Sequence, residues 1–148
     1  MNERLKSLYQ SVILQKSRED KYVGKLNDFS LEFRAYNPMC GDQFDLQILI
    51  EDNRFKCLKY SGSGCSISRA SAAALCEHLE GVELDAVRQK VELFLELVDA
   101  DSDKQPEELT DDENLLAFAA ARDFPERKTC ADLSWKELLN QLDTLNQS

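Results

Sequence analysis

The spacing of apolar residues changes once along this 148-residue chain, and that change restricts the fold more than any other feature. Between Phe29 and Ser61 the apolar side chains fall at every second position in three short runs. Phe29, Leu31, Phe33 and Ala35 make the first run, Phe44, Leu46, Ile48 and Ile50 the second, and Phe55 to Ser61 the third. Alternation of this kind marks half-buried strands. Asn37-Pro38 and Asp52-Asn53 supply turns between them, so the three predict an antiparallel meander. After Gly64 the period becomes helical. Ile67 to Leu79 is rich in Ala and Leu and stops before Gly81, and Leu84 to Val98 carries a second stripe. A short helix is expected over about Asp111 to Arg122, where Thr110-Asp111-Asp112-Glu113 has the pattern of a capping box and Phe124-Pro125 ends the run. A last helix is expected from near Cys130. One helix precedes the strands, on Leu5, Leu8, Tyr9, Val12 and Ile13, and Ser17 to Lys25 reads as loop. Strands first and helices afterwards is the α+β order, with a small three-stranded antiparallel sheet and helices packed on one face. Residues 1–148 read as a single domain with an acidic insertion at about 99–122.

The charge balance removes whole classes of function. Lys and Arg number 18 against 28 Asp and Glu, a net charge of −10. Binding to phosphate backbones depends on cationic side chains replacing counterions, so a nucleic-acid partner is not expected. An anionic membrane surface is disfavoured for the same reason. The longest unbroken apolar run, Leu115 to Ala121, is far shorter than the roughly 18 residues a membrane span requires. Met1 to Lys6 runs directly into an amphipathic pattern without the apolar core of a secretion signal, which predicts a cytoplasmic protein. Asp99 to Glu113 holds eight of the acids and a single base, Lys104. Pro106 within it predicts a solvated loop.

Five cysteines in a reducing compartment do not suggest a disulfide framework, and their odd number agrees. Packing, metal binding and thiol chemistry remain. Glycine is scarce, yet Gly41, Gly62 and Gly64 all lie close to a cysteine. Cys40 falls in a turn between two strands, Cys65 at a strand-to-helix junction, and Cys130 just before the expected last helix. Unpaired N–H groups at a helix start stabilise a thiolate, the form that acts both as nucleophile and as metal ligand. Asp42 can add an oxygen beside Cys40. Cys40, Asp42, Cys65 and Cys130 together would form a four-coordinate S₃O site of the kind zinc accepts. With zinc it would carry a charge near −2 from these ligand charges, and Arg69, Arg127 and Lys128 are the basic side chains nearest in sequence to offset it. The spacing has no Cys-x-x-Cys pair and is not specific by itself. Cys57, in a strand, and Cys76, in a helix, read as packing residues. His78 reads as an exposed helix histidine, and Trp135 as a core anchor.

Three segments carry a family likeness. Asn37-Pro38-x-Cys40-Gly41-Asp42, then Gly62-x-Gly64-Cys65-x-Ile67-Ser68-x-Ala70-Ser71, resembles the IscU/SufU family of iron–sulfur cluster assembly proteins. Arg127-x-x-Cys130-Ala131-x-Leu133-x-Trp135, with a long segment ahead of it, looks like the SufU branch. There, Thr129 takes the place of the Lys or His usual before the third cysteine. The resemblance implies that Cys40, Asp42, Cys65 and Cys130 are metal ligands and that the metal is zinc. It implies a zinc-dependent sulfurtransferase in which Cys40 accepts persulfide sulfur from a PLP-dependent cysteine desulfurase. The sulfur would then pass to a downstream iron–sulfur scaffold or thiol acceptor. The alternative it implies is a scaffold holding a transient [2Fe–2S] cluster on the same ligands.

Overall fold

A computed structural model describes residues 3–146. The chain runs through α1 (Glu3–Arg18), β1 (Leu31–Asn37), β2 (Asp42–Glu51), β3 (Arg54–Ser63), α2 (Ser66–Leu79) and α3 (Leu84–Leu97). Two single turns follow, α4 (Pro106–Leu109) and α5 (Glu113–Leu116). A 3₁₀ segment (Ala117–Asp123) then leads into the long α6 (Pro125–Asn146).

The strands form an antiparallel sheet in the order β1-β2-β3. Leu31, Phe33 and Ala35 lie opposite Ile48, Leu46 and Phe44, so the buried residues of neighbouring strands share one face. Asp52 and Asn53 close the second hairpin with φ of 55° and 60°. Two positive-φ residues form the turn whose twist matches a two-residue hairpin. A register shift at Leu49/Ile50 then lets Ile50 face Phe55. The outer face stays polar. Gln47 is buried there because it accepts from the Leu26 N–H at 2.7 Å and donates to Glu32 at 2.7 Å.

The helices lie on the inner face. α2 is the central one, packed against α1, α6 and β3. Its buried Ala70, Ala72, Ala73 and Ala74 let these neighbours approach closely. Trp135 is fully buried, stacked on Phe94 at 3.9 Å between ring centroids, and its indole N–H donates to Ser71 Oγ at 3.0 Å. The expected anchor role is what the fold uses.

Several expectations shift. β1 begins at Leu31, and Phe29 before it is largely exposed. The acidic stretch is not all loop: Pro106 opens α4, as proline does at a first helical position, and Glu108 accepts from the Gln105 N–H at 2.6 Å. The expected Thr110–Glu113 capping box does not form, and the helix start falls two residues later. Asp112 is the N-cap of α5, accepting from Asn114 N–H at 2.9 Å, while Thr110 Oγ1 accepts from Asp112 N–H. Pro125 likewise opens α6, so Cys130 lies inside that helix and not ahead of it. His78 is half-buried against Trp135, with ring centroids 6.3 Å apart.

Candidate metal centre

The connection from β1 to β2 is held by its own main chain. The Gly41 N–H donates to Asn37 O at 2.8 Å, and the Met39 N–H donates to Asn37 Oδ1 at 3.0 Å. Gly41 takes φ of 78°, a left-handed conformation that glycine adopts without strain. The turn lifts Cys40 into solvent and returns the chain so that Asp42, first residue of β2, points inward with 2 % of its surface exposed.

Cys65 ends the β3-to-α2 junction as the N-cap of α2. Its Sγ accepts from the Ser68 N–H at 3.5 Å, and Ser68 Oγ donates to Cys65 O at 3.0 Å. Its own N–H donates to Asp42 Oδ1 at 3.0 Å, and its Sγ stands 3.9 Å from Asp42 Oδ2. This junction tolerates only glycine on its strand side. A Cβ at Gly64 would sit 2.5 Å from Ser68 Oγ and 2.7 Å from Asp42 Oδ1. One at Gly62, where φ is 130°, would overlap the carbonyl oxygen of Gln43 on β2. The glycines beside the cysteines thus have a packing reason: main chain, carboxylate and helix start converge there.

Cys130 enters from the second turn of α6. Its thiol, a carboxylate oxygen of Asp42 and the Cys40 thiol all lie within 4.8 Å of one another, and among the described residues no other group of three such ligands draws together so closely. Cys65 adjoins this trio through Asp42 and pushes on Cys130 electrostatically. The turn, β2 and α6 therefore bring three of the four expected ligands together at one end of the sheet, and Cys65 at the α2 N-terminus borders them through Asp42.

Their protons report the crowding. Burial, then Cys65, Asp42 and Cys40, push the Cys130 thiol strongly upward. At Cys40 the main chain of Asp42 pulls downward, but burial, the Asp42 carboxylate and Cys65 outweigh it and the thiol is raised. The donor set suits a thiophilic divalent cation. Zinc–ligand bonds of about 2.3 Å to sulfur and about 2.0 Å to oxygen place tetrahedral donors roughly 3.5–3.8 Å apart. The Cys65 Sγ–Asp42 Oδ2 separation of 3.9 Å is close to that spacing, while the separations of up to 4.8 Å within the trio would have to contract around an ion.

Two of the three basic side chains near in sequence, Arg127 and Lys128, are committed elsewhere. Arg127 donates to Tyr9 OH at 2.6 Å and lies over the Phe124 ring, and Lys128 pairs with the buried Asp132 at 3.3 Å. Neither offsets the cluster as expected. Ser68 was missed as a partner of Cys65, although a serine three residues beyond a candidate N-cap is a readable signal. Cys76 is fully buried, its thiol pushed up by burial, and Cys57 is half-buried on β3. Both stand apart from the cluster.

A three-stranded antiparallel sheet with helices on one face, gathering thiols and one carboxylate at its end, defines a small class of α+β protein. The chain belongs to the family of NifU-like N-terminal domains, whose model matches residues 8–131. It is 31 % identical over 137 residues to the zinc-dependent sulfurtransferase SufU of Bacillus subtilis, covering 93 % of this chain and 90 % of that one. It is 28 % identical over 144 residues to the iron–sulfur cluster assembly scaffold protein IscU of Thermotoga maritima, covering 96 % and 97 %. The fold also matches the crystal structure of FiSufU from Fervidobacterium islandicum, with a TM-score of 0.77, 23 % identity, and coverage of 88 % and 93 %. The N-terminal part of a NifU-like protein from Brucella abortus matches with a TM-score of 0.79, 13 % identity and 99 % of both chains. Among the described residues no helix is long and apolar enough to cross a membrane.

Proposed function

We propose that this chain is a zinc-dependent sulfurtransferase of iron–sulfur cluster biogenesis, working in the cytoplasm. On this reading Cys40, Asp42, Cys65 and Cys130 bind one zinc ion, and Cys40 is the sulfur acceptor. The observation that supports it is the exposed Cys40 thiol on a tight turn, within 4.8 Å of a buried carboxylate and a second thiol. The SufU relative, the more similar of the two quoted above, points the same way.

Bound zinc would keep the thiols deprotonated while masking Cys40 as a nucleophile. The residues divide the remaining work. Asp42, fixed by the Cys65 N–H, is the hard oxygen donor beside soft sulfur, which keeps the site exchangeable. Cys65 and Cys130 anchor the site on two helices. Cys40 sits exposed on the turn, outside sheet and helix, where a partner can reach it. Its released Sγ attacks the outer sulfur of a persulfide on a PLP-dependent cysteine desulfurase. A new S–S bond forms on Cys40, the donor's S–S bond breaks, and the donor cysteine leaves as thiolate, so no external oxidant is required. The persulfide then passes to a downstream scaffold or thiol acceptor. The acidic stretch at about 99–122 is, on the same reading, an insertion in a single domain.

The IscU relatives favour a second reading, a scaffold that builds a transient [2Fe–2S] cluster on the same donors. One experiment separates the two. Purify the protein without added iron, measure bound metal, and add desulfurase with cysteine. The sulfurtransferase holds about one zinc per chain, as a closed four-ligand site does, and raises alanine production, and Cys40→Ala abolishes the stimulation. Stimulation that survives Cys40→Ala overturns the acceptor role. A visible-absorbing cluster on reconstitution, longer-lived in Asp42→Ala, establishes the scaffold instead.

A further inference from the structure

The two edges of the sheet are treated differently. Along β3 the edge is covered: the Tyr60 N–H donates to Tyr22 O at 2.8 Å, the Gly24 N–H to Tyr60 O at 2.9 Å, and the Phe55 N–H to Val82 O at 2.9 Å. Along β1 nothing plays that part. In an antiparallel pair every second residue turns its N–H and C=O away from its neighbour. Among the described residues, no hydrogen bond beyond those to β2 reaches the main chain of Leu31 to Tyr36. Exposed edges are ordinarily blunted by proline, a bulge, or a covering segment. β1 has no proline, no glycine and no bulge in its seven residues. Its charged side chains are turned onto the outer face, where Arg34 pairs with Asp45 at 2.8 Å and Glu32 accepts from Gln47 at 2.7 Å. The edge itself is left open.

A groove of about 270 Å³ runs between the end of this strand and the first half of α6. Tyr36, Pro38 and Leu133 give it apolar surface, with Thr129, Lys136 and Glu137 at the rim. Tyr36 is 54 % exposed. Its lining residues Asn37 and Pro38 belong to the turn that carries Cys40, and Thr129 is the neighbour of Cys130 in α6, so the groove borders the thiol cluster without including it.

We infer that β1 is a docking edge: an extended segment of the persulfide-bearing partner adds to the sheet as a fourth strand beside it, its side chains seated in the β1–α6 groove. An open row of main-chain donors and acceptors is matched best by another main chain, and alternate side chains of an added strand fall into the groove. The arrangement fixes the partner next to the turn that carries Cys40, which turns sulfur transfer into a reaction between neighbours. The inference rests on the sulfurtransferase reading for the partner's identity but not for the edge.

Hydrogen exchange of the zinc-loaded chain, with and without the desulfurase, tests it. Outward amides between residues 31 and 37 should slow by about tenfold or more in the complex, while those of Asp99–Asp103 stay unchanged. Tyr36→Asp should raise the concentration that half-saturates desulfurase stimulation by about tenfold, at unchanged zinc content. Stimulation in the wild type without protection of 31–37 overturns the docking edge and leaves the sulfurtransferase standing. Protection without persulfide on Cys40 sustains the docking edge and overturns the sulfurtransferase. Protection that appears in the chain alone as its concentration rises, with a doubling of mass, assigns the edge to a second copy and overturns the partner strand.

Discussion

Three residues carry most of what the site demands. Gly62 has both a positive φ and a main chain pressed against it, so Gly62→Ala should cost about 3 kcal/mol in urea unfolding, at the upper end for a single substitution. Asp42 satisfies the Cys65 N–H from a buried position, so Asp42→Ala should destabilise the metal-free chain by about 1–3 kcal/mol through an orphaned donor, apart from any effect on metal. Cys40 is exposed and contributes little packing. Cys40→Ala should leave metal-free stability within about 0.5 kcal/mol of the parent, measured in the same way, while removing sulfur acceptance. Cys40, Asp42 and Cys65 stand out because turn glycines and a helix start adjoin them, whereas the place of Cys130 inside α6 does not show in the spacing and is given by the family likeness of the segment around it. The commitments of Arg127 and Lys128 are not legible in the sequence. Tyr9, Phe124 and Asp132 compete for those cations through space, and sequence proximity to a cysteine carries no information about that competition.

At the scale of elements, alternation placed all three strands, because one buried face fixes both period and register. Proline caused the misplacements. Phe124-Pro125 does end the run before it, at Asp123, but Pro106 and Pro125 also begin helices, since a first-turn residue has no intrahelical use for its N–H. Ser102, which donates to Glu96 at 3.0 Å, the buried Pro106 and above all Arg122 tie down the acidic segment. The Arg122 guanidinium donates to Leu97 O at 2.8 Å, Glu96 O at 2.9 Å and Lys104 O at 2.7 Å, closing the C-terminus of α3 against the stretch that follows. Arg122→Ala should therefore cost about 2–3 kcal/mol and bring faster proteolysis between residues 99 and 112, followed by mass spectrometry. His78 gives the helices a pH dependence. Burial, then Lys90, holds its pKa below the ordinary 6.5, with Asp112 opposing. The folded chain thus resists a proton that the unfolded chain accepts, so His78 should subtract stability as pH falls through about 6.5 and level off below its folded value. His78→Gln should flatten that slope in thermal melts between pH 7.5 and 5.

For the molecule as a whole, the centre joins parts distant in sequence. On the proposed reading a turn of the sheet, the start of α2 and the second turn of α6 contribute one thiol each, which would link metal binding to folding. Free zinc at a hundredfold excess over its dissociation constant should add about 2.7 kcal/mol to stability, and a chelator should remove it. That the chain folds as a sheet with helices on one face followed from the order of its periods. That its third cysteine reaches the other two from inside a helix depends on how α6 crosses the sheet, which no local pattern encodes. The most direct measurement is X-ray absorption at the zinc edge on the purified chain. The account predicts one zinc per chain with three sulfur neighbours near 2.3 Å and one oxygen near 2.0 Å, reduced to two sulfurs in Cys40→Ala. Zinc with a shell unchanged by Cys40→Ala, or a chain that binds none, would contradict it.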